Sequence, residues 1–293
     1  MIAKDLPEKL GIKGEEFDRY NKLVGKVCEE YADSYMKDEI DAHEAQKLLD
    51  ALETKEVSKF TLYLIFLLHA TAALLENYRK EGISEEIFYA SMMDFKYKIK
   101  ECRDVEGVFG IKSYMWYNGF FKAFRHAFGR LQFDRIKHEG EPIERAGHIV
   151  FEGDFVLNCH IPSAGPLLHE ECLESYKMAY EFFKDKLIDG ILPVVCHSWL
   201  LYPGYRDVFG RSSNICRFAS DYRILKSEDT TVFADCWRVF NKDFDGDIDA
   251  LPGNTSMQRA FKAYMKDNGT YGLGRGILLF DGEKVLTKNQ YLL

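Results

Sequence analysis

The sequence predicts an α+β protein, with an all-helical N-terminal domain over residues 1–128 followed by a mixed α/β C-terminal domain over residues 129–293. Three observations predict it. Apolar residues recur at spacings of three and four through the first part, the period of helices with one buried face. After Gly129 the pattern turns to period two, the mark of half-buried strands. Strand, helix and strand then succeed one another through residues 155–201, which implies a parallel strand pair joined by a right-handed crossover.

Taken in order, EEFDRYNKLVGKVCEEYADSYMK (15–37) carries a stripe of Phe17, Tyr20, Val24, Val27, Tyr31 and Tyr35. Further helices are expected over 41–53, 57–78, 84–102 and 112–128. Ser84 before Glu85 and Glu86 reads as a capped start with acids in the first turn. Phe60–Leu75 is uncharged for 16 residues. That is short of the roughly 20 a membrane span needs, so a buried core helix is expected. The aromatic run YMWYNGFFKAF (114–124) is too dense for a solvated face and is expected to pack on the second domain or line a groove. Beyond Gly129, RLQFDRIKHEG alternates and HIVFEGDFVLNCHIP gives two strands around Gly153–Asp154. A helix follows, then the apolar run ILPVVCHSWLL. A helix over 204–220, a strand TVFADCWRVF (231–240), a helix 255–269 and a strand GRGILLF (274–280) complete the chain, with loops at 138–147 and 241–254.

The formal charge is −8, and each predicted domain carries a small excess of acids. Nonspecific binding to nucleic acid therefore has no electrostatic source, and no nucleic-acid or membrane partner is expected. Seven cysteines stand singly with no CxxC pair, which fits buried reduced thiols better than disulfides or zinc. The opening MIAKDLPEKL lacks an apolar signal core, and a cytoplasmic location is expected. The stretch DFDGDIDALPGN departs from a calcium loop, with glycine at its fourth position and Asn254 where a bidentate Glu belongs. It reads as a solvated acidic loop.

The segment FVLNCHIPSAGPLLHEECLESY holds the candidate chemistry. A strand ends, a turn of small residues follows, and a helix begins near Leu168. Such a turn can aim main-chain N–H groups at an anion, assisted by the helix dipole. Ser163, Ala164, Gly165 and Leu167 can donate; Pro162 and Pro166 cannot. His160 and His197 close successive parallel strands, where ligands of open sheets gather, and either can serve as a base near neutral pH. Cys196 beside them is a buried thiol, or a nucleophile if His160 reaches it from the next strand.

Six segments together resemble one family: GRLQFDRI (129–136), HIPSAGPLLHEECLESYKMAYEFF (160–183), CHSWLLYP (196–203), SSNICRFASDYRI (212–224), LPGNTSMQRAFKAYM (251–265) and YGLGRGILLF (271–280). The chain resembles bacterial two-domain proteins that join an N-acyltransferase N-terminal helical domain to a GNAT-like C-terminal domain. The resemblance implies a GNAT-like acyltransferase moving an acyl group from acetyl-CoA or a longer acyl-CoA to a small-molecule acceptor, an amine in the family's usual chemistry. It maps the CoA-binding turn onto Ile161, Ser163, Ala164, Gly165 and Leu167. His197 or His160 is the expected base; Tyr202, Tyr205 or Ser198 is expected to protonate the departing thiolate. Arg130, Gln258, Arg259 and Trp199 are the expected acceptor contacts, Arg130 equally reading as a strand-surface ion pair. The competing reading is a non-catalytic CoA- or metabolite-binding protein on the same fold, and a weaker one is a Cys/His hydrolase using Cys196.

Overall fold

A computed structural model describes residues 1–267 and 270–288. The chain divides into two compact units, Met1–Ala127 and Phe128–Leu293.

The first unit is helical: α1 (Leu6–Lys9), α2 (Glu15–Met36), α3 (Ala42–Asp50), α4 (Lys59–Lys80), α5 (Glu85–Met92), α6 (Asp94–Glu106) and a short α7 (Asn118–Phe121). Helix α4 is apolar on nearly every side, and it is the core: the run from Thr61 to Thr71 is buried without interruption. Its length and composition would allow a membrane crossing, but most of it is covered by the rest of the fold. Helix α2 lies against α4 through Phe17, Gly25, Cys28, Ala32 and Tyr35. The buried face is therefore displaced from the stripe of large residues toward smaller ones, which let the two backbones approach. Asp41 caps α3 in a capping box with Glu44, and the Ser84 hydroxyl caps α5.

Two expectations are corrected here. The helix over 84–102 is two helices that break at Met93. The helix over 112–128 is instead a 3-10 turn (Tyr114–Tyr117), α7, and a strand β1 (Arg125–Phe128). Ala123 takes a left-handed conformation at φ 55°, which ends helical propagation and turns the chain into β1.

The second unit contains β2 (Leu131–Lys137), β3 (Ile143–Arg145), β4 (His148–Val150), β5 (Phe155–His160), α8 (His169–Phe182), β6 (Leu192–Ser198), α9 (Arg206–Phe209), α10 (Asn214–Ser220), β7 (Arg223–Thr230), α11 (Cys236–Phe240), α12 (Ser256–Asp267) and β8 (Tyr271–Phe280). Strands β2, β5, β6, β8 and β7 lie side by side in that order, so β8 inserts between β6 and β7. Only β5 and β6 run parallel; the other pairings are antiparallel. Strands β3 and β4 form their own hairpin, so the strand expected at 148–151 pairs with β3 and not with β5.

The strand expected at 231–240 is also displaced. Strand β7 ends at Thr230, and Cys236–Phe240 coils into α11, whose Cys236, Val239 and Phe240 enter an aromatic core with Tyr205, Phe261 and Tyr271. The apolar run there is a helix segment serving a core, a case that periodicity over so few residues does not separate from a strand. The helix expected over 204–220 is broken at Gly210, leaving α9 and α10. Part of the helix expected over 255–269 lies outside the described residues.

The glycines of YGLGRG have a steric reason. A Cβ on Gly274 would lie 2.2 Å from the Leu201 carbonyl oxygen, and one on Gly272 would lie 2.3 Å from the Tyr202 ring. The turn after β6 thus crosses directly over β8, and glycine alone allows the approach.

Candidate active site

The site begins where the parallel pair comes apart. Strands β5 and β6 are in register only at Leu157↔Val194 and Asn158↔Val195. Beyond that point β5 continues along β2 (Cys159↔Phe133, His160↔Gln132), while β6 continues along β8 (Cys196↔Gly276, His197↔Arg275, Ser198↔Gly274). Each strand is held by its outer neighbour, so the inner edges diverge. Past that register the β5–β6 ladder no longer consumes the main-chain polar groups of the two inner edges.

Successive residues of a strand face opposite ways. Cys159 and Cys196 are buried on one face of the sheet, and His160 and His197 lie on the other. Burial pushes the Cys159 thiol well above its ordinary range. Cys196 and His160 therefore face away from each other, and the nucleophile reading of Cys196 is corrected: it is a core thiol.

On the histidine face the sheet carries polar side chains where a sheet interior would be apolar. His160 Nε2 lies 2.8 Å from Asp134 Oδ2 and 3.3 Å from Asn158 Nδ2. A carboxylate accepts, so Nε2 carries the hydrogen and the ring lone pair sits on Nδ1. Asp134 is buried and His160 is 22% exposed, which keeps the pair partly desolvated yet within reach of a ligand. Gln132 is buried beside them, and His197 is exposed at the end of β6. Asp134, Asn158 and Gln132 were not singled out by the sequence reading. Their signal is the period-two alternation of LQFD, which puts Gln132 and Asp134 on one face.

The turn between β5 and α8 is built on Arg130. Its guanidinium donates to the carbonyls of Pro162 (2.9 Å), Gly165 (3.0 Å) and Pro166 (3.1 Å). The peptide bonds of the turn are trans, so drawing the Pro162 and Pro166 carbonyls inward points the Ser163 and Leu167 N–H groups the opposite way. Gly165 holds φ at 93° with open space around it, so the turn needs glycine for conformation and not for room. Helix α8 then starts at His169 with Leu168 at its N-cap and no side-chain cap. Its first N–H groups and the positive end of its dipole face the turn, tempered by Glu170 and Glu171. Ile161 and Ala164 are half-buried in the same turn, where the Ala164 N–H is taken by the Pro162 carbonyl.

Several expected contacts prove to be internal. Arg130 is buried and its guanidinium donors serve the carbonyls of the turn. The Gln258 side chain accepts from the Asn254 and Thr255 N–H groups and donates to the Val239 carbonyl, and Arg259 donates to the Gly253 and Asn254 carbonyls. Both brace the start of α12. Trp199 packs against Tyr205, Phe209, Phe233 and Phe261. Tyr205 is fully buried and its hydroxyl accepts from the Gly272 N–H; burial raises its pKa, and it has no surface with which to meet a thiolate. The Tyr202 hydroxyl donates to Asp229 (2.7 Å), and burial together with that carboxylate pushes it up to about 12. Ser198 stays half-buried at the end of β6, accepting from the Leu200 N–H (3.2 Å). His160, His197 and Ser198 thus lie past the end of the β5–β6 register, the 161–167 turn follows directly after β5, and the other candidates make the internal contacts described.

The family described as "GNAT-like C-terminal domain" matches residues 126–278, and the family described as "N-acyltransferase N-terminal domain" matches residues 1–123. No curated protein sequence matches the chain. Among solved structures it is similar to an acyltransferase in complex with decanoyl-CoA and teicoplanin, at 20% identity and TM-score 0.66, over 94% of this chain and 84% of that one. It is similar to an acyltransferase mutant in complex with octanoyl-CoA, at 19% identity and TM-score 0.66 over the same shares. A third, an acyltransferase in complex with decanoyl-CoA, is 18% identical with TM-score 0.63, over 80% of this chain and 76% of that one. At these identities the likeness establishes the fold. With both domains matched in order along nearly the whole length, the chain belongs to the family that joins an N-acyltransferase N-terminal domain to a GNAT-like C-terminal domain.

Proposed function

We infer that the chain transfers an acyl group from an acyl-CoA thioester to an amine on a small molecule. The observation that carries this reading is the divergence of β5 and β6 beyond Asn158 and Val195, with the Asp134–His160 pair beside it and the Arg130-braced turn at its end. The structurally similar acyltransferases were solved with decanoyl-CoA, octanoyl-CoA or CoA, which favours a medium-length acyl donor. An inner strand edge can pair with the extended amide-bearing arm of CoA as a further strand would, and the Ser163 and Leu167 N–H groups with the start of α8 suit its pyrophosphate.

An ammonium acceptor must lose a proton before it attacks. His160 Nδ1 accepts that proton, and Asp134 steadies the imidazolium that results. The amine nitrogen then bonds to the thioester carbon, main-chain N–H groups of the divergent edges stabilise the oxyanion, and the C–S bond breaks. The departing thiolate takes a proton from the Ser198 hydroxyl, which recovers one from solvent. His197, exposed at the matching strand end, lies where an acceptor would enter.

Calorimetric titration with octanoyl-CoA and decanoyl-CoA, followed by thiol release in the presence of an amine panel, tests this reading. Binding with thiol release that falls at least about a hundredfold in His160→Ala supports it. Binding with no release for any amine leaves a binding module, a reading that Glu170 and Glu171 at the start of α8 do not by themselves exclude. No heat with folded protein removes both.

A further inference from the structure

Directly paired residues on neighbouring strands share a face of the sheet. Gln132↔His160, His197↔Arg275 and Arg275↔Lys226 are such pairs, and His160 and His197 each lie two residues past the last parallel register. Gln132, His160, His197, Arg275 and Lys226 therefore form one transverse row on the histidine face. At its far end the row runs into a cavity of about 310 Å³ lined by Arg275, Lys226 and Leu225 of the sheet, with Ile143 and Arg145 of the β3–β4 hairpin.

The charge of this cavity is largely uncommitted. Arg275 is exposed and has no hydrogen bond or ion pair among the described residues. It projects from between Gly274 and Gly276, whose missing side chains make room for Leu201 and Tyr222 on the opposite face, so the cation is the only side chain this stretch of β8 can offer to the row. Arg145 donates through Nη1 to the Glu144 carbonyl and has a buried Nε with no acceptor among the described residues. Lys226 is shared with the exposed Glu228 at 2.7 Å, a surface pair that gives way readily to a competing anion. Two further acids, Glu139 and Glu141, line the same cavity. Three cations thus face three acids, Glu228 being committed to Lys226, and Arg275 is left as the exposed cation for a single negative charge rather than a phosphate dianion. A bidentate carboxylate matches the guanidinium fork.

We propose that this cavity is the acceptor subsite and that it selects amines bearing a carboxylate, namely α-amino acids or very short peptides, with Arg275 as the carboxylate anchor. Paired strands are about 4.8 Å apart, so a carboxylate on Arg275 leaves a nearby amine beside His197, with His160 across the divergent edges. The volume is at the small end for ligand sites, which fits an acceptor of this size. The proposal rests on the amine-acylation reading above.

The test compares N-octanoyl-phenylalanine with N-octanoyl-phenylalaninamide by calorimetry, a product pair whose binding requires no turnover. The acid is expected to bind about tenfold tighter to the wild type, and Arg275→Gln to bring the two within about twofold. Lys177→Gln, a charge-matched change on the exposed side of α8, is expected to keep the preference. Equal binding of acid and amide, a preference that survives Arg275→Gln, or binding of neither overturns the proposal. Thiol release from octanoyl-CoA separates the two layers. Acylation of phenylalaninamide as fast as phenylalanine preserves the transferase and removes the subsite; acylation of neither removes the transferase, while the binding comparison still decides what the cavity holds.

Discussion

Replacing Arg130 with methionine keeps most of the side-chain bulk and removes all five guanidinium donors, three of which serve the carbonyls of Pro162, Gly165 and Pro166. A hydrogen bond from a charged donor contributes about 1.5–3 kcal/mol net. Gly165 and Pro166 are exposed, so water can replace the donor at their carbonyls, whereas Pro162 is buried and its carbonyl would keep only the Ala164 N–H. The cost is therefore that of one charged hydrogen bond at a buried carbonyl plus a fraction of two hydrated ones, about 2 kcal/mol. Urea denaturation is expected to show that loss at an unchanged slope. Because the same bonds turn the Ser163 and Leu167 N–H groups outward, octanoyl-CoA affinity is expected to fall about tenfold or more even where the variant is fully folded. Arg130→Lys tests the geometry, since an ammonium cannot span three carbonyls set in a fork, and it is expected to recover only part of both losses. A variant that unfolds with less than about 1 kcal/mol of loss and binds octanoyl-CoA like the wild type would refute the role given to Arg130.

Three further outcomes follow from particular contacts. Asp134→Asn preserves shape but removes the carboxylate that fixes the proton on His160 Nε2; thiol release is expected to fall by at least about tenfold with octanoyl-CoA affinity unchanged, and an unaltered rate would assign the base elsewhere. Gly274→Ala sets a methyl against the Leu201 carbonyl oxygen at 2.2 Å, backbone that cannot step aside, and is expected to cost more than about 3 kcal/mol in thermal or urea unfolding; a near-neutral result would refute the close crossing of β8. Asp221, buried against His169 Nε2 at 2.9 Å, is pushed up to about 6 by burial, with the attraction of His169 opposing the rise. The folded carboxyl thus holds its proton to higher pH than the unfolded one. Its contribution is most favourable below the unfolded pKa near 4 and is lost as pH rises through about 6. The stability difference between wild type and Asp221→Asn is therefore expected to move against the wild type by up to about 3 kcal/mol from pH 4 to pH 7.5, and a flat difference would refute the burial argument.

The division into helical and sheet-bearing parts was legible because it rests on periodicity sustained over many turns. The β5–α8–β6 crossover was legible for the same reason, together with the two histidines that end its strands. Short elements were not. Residues 231–240 read as a strand because their apolar positions fit either period, and only the surrounding aromatic core makes Cys236–Phe240 α11. The break of the last N-terminal helix depends on a single left-handed alanine, a conformation its side chain does not announce. The site was half visible. His160 and His197 declare themselves by type and position, whereas Asp134 becomes meaningful only once the antiparallel register sets it diagonally across from His160. Arg130, Gln258 and Arg259 look like ligand contacts in the sequence because nothing there shows which carbonyls take up their donors.

The central claim is that the divergent inner edges of β5 and β6 form the acyl-CoA slot. Amide resonances followed during titration with octanoyl-CoA measure it directly. The expected result is saturable shifts, and slowed hydrogen exchange, concentrated at Cys159, His160, Ile161, Ser163, Leu167 and His197, with α12 and the β3–β4 hairpin little changed. Shifts that gather away from those edges, or none at concentrations that saturate thermal stabilisation, would contradict the claim.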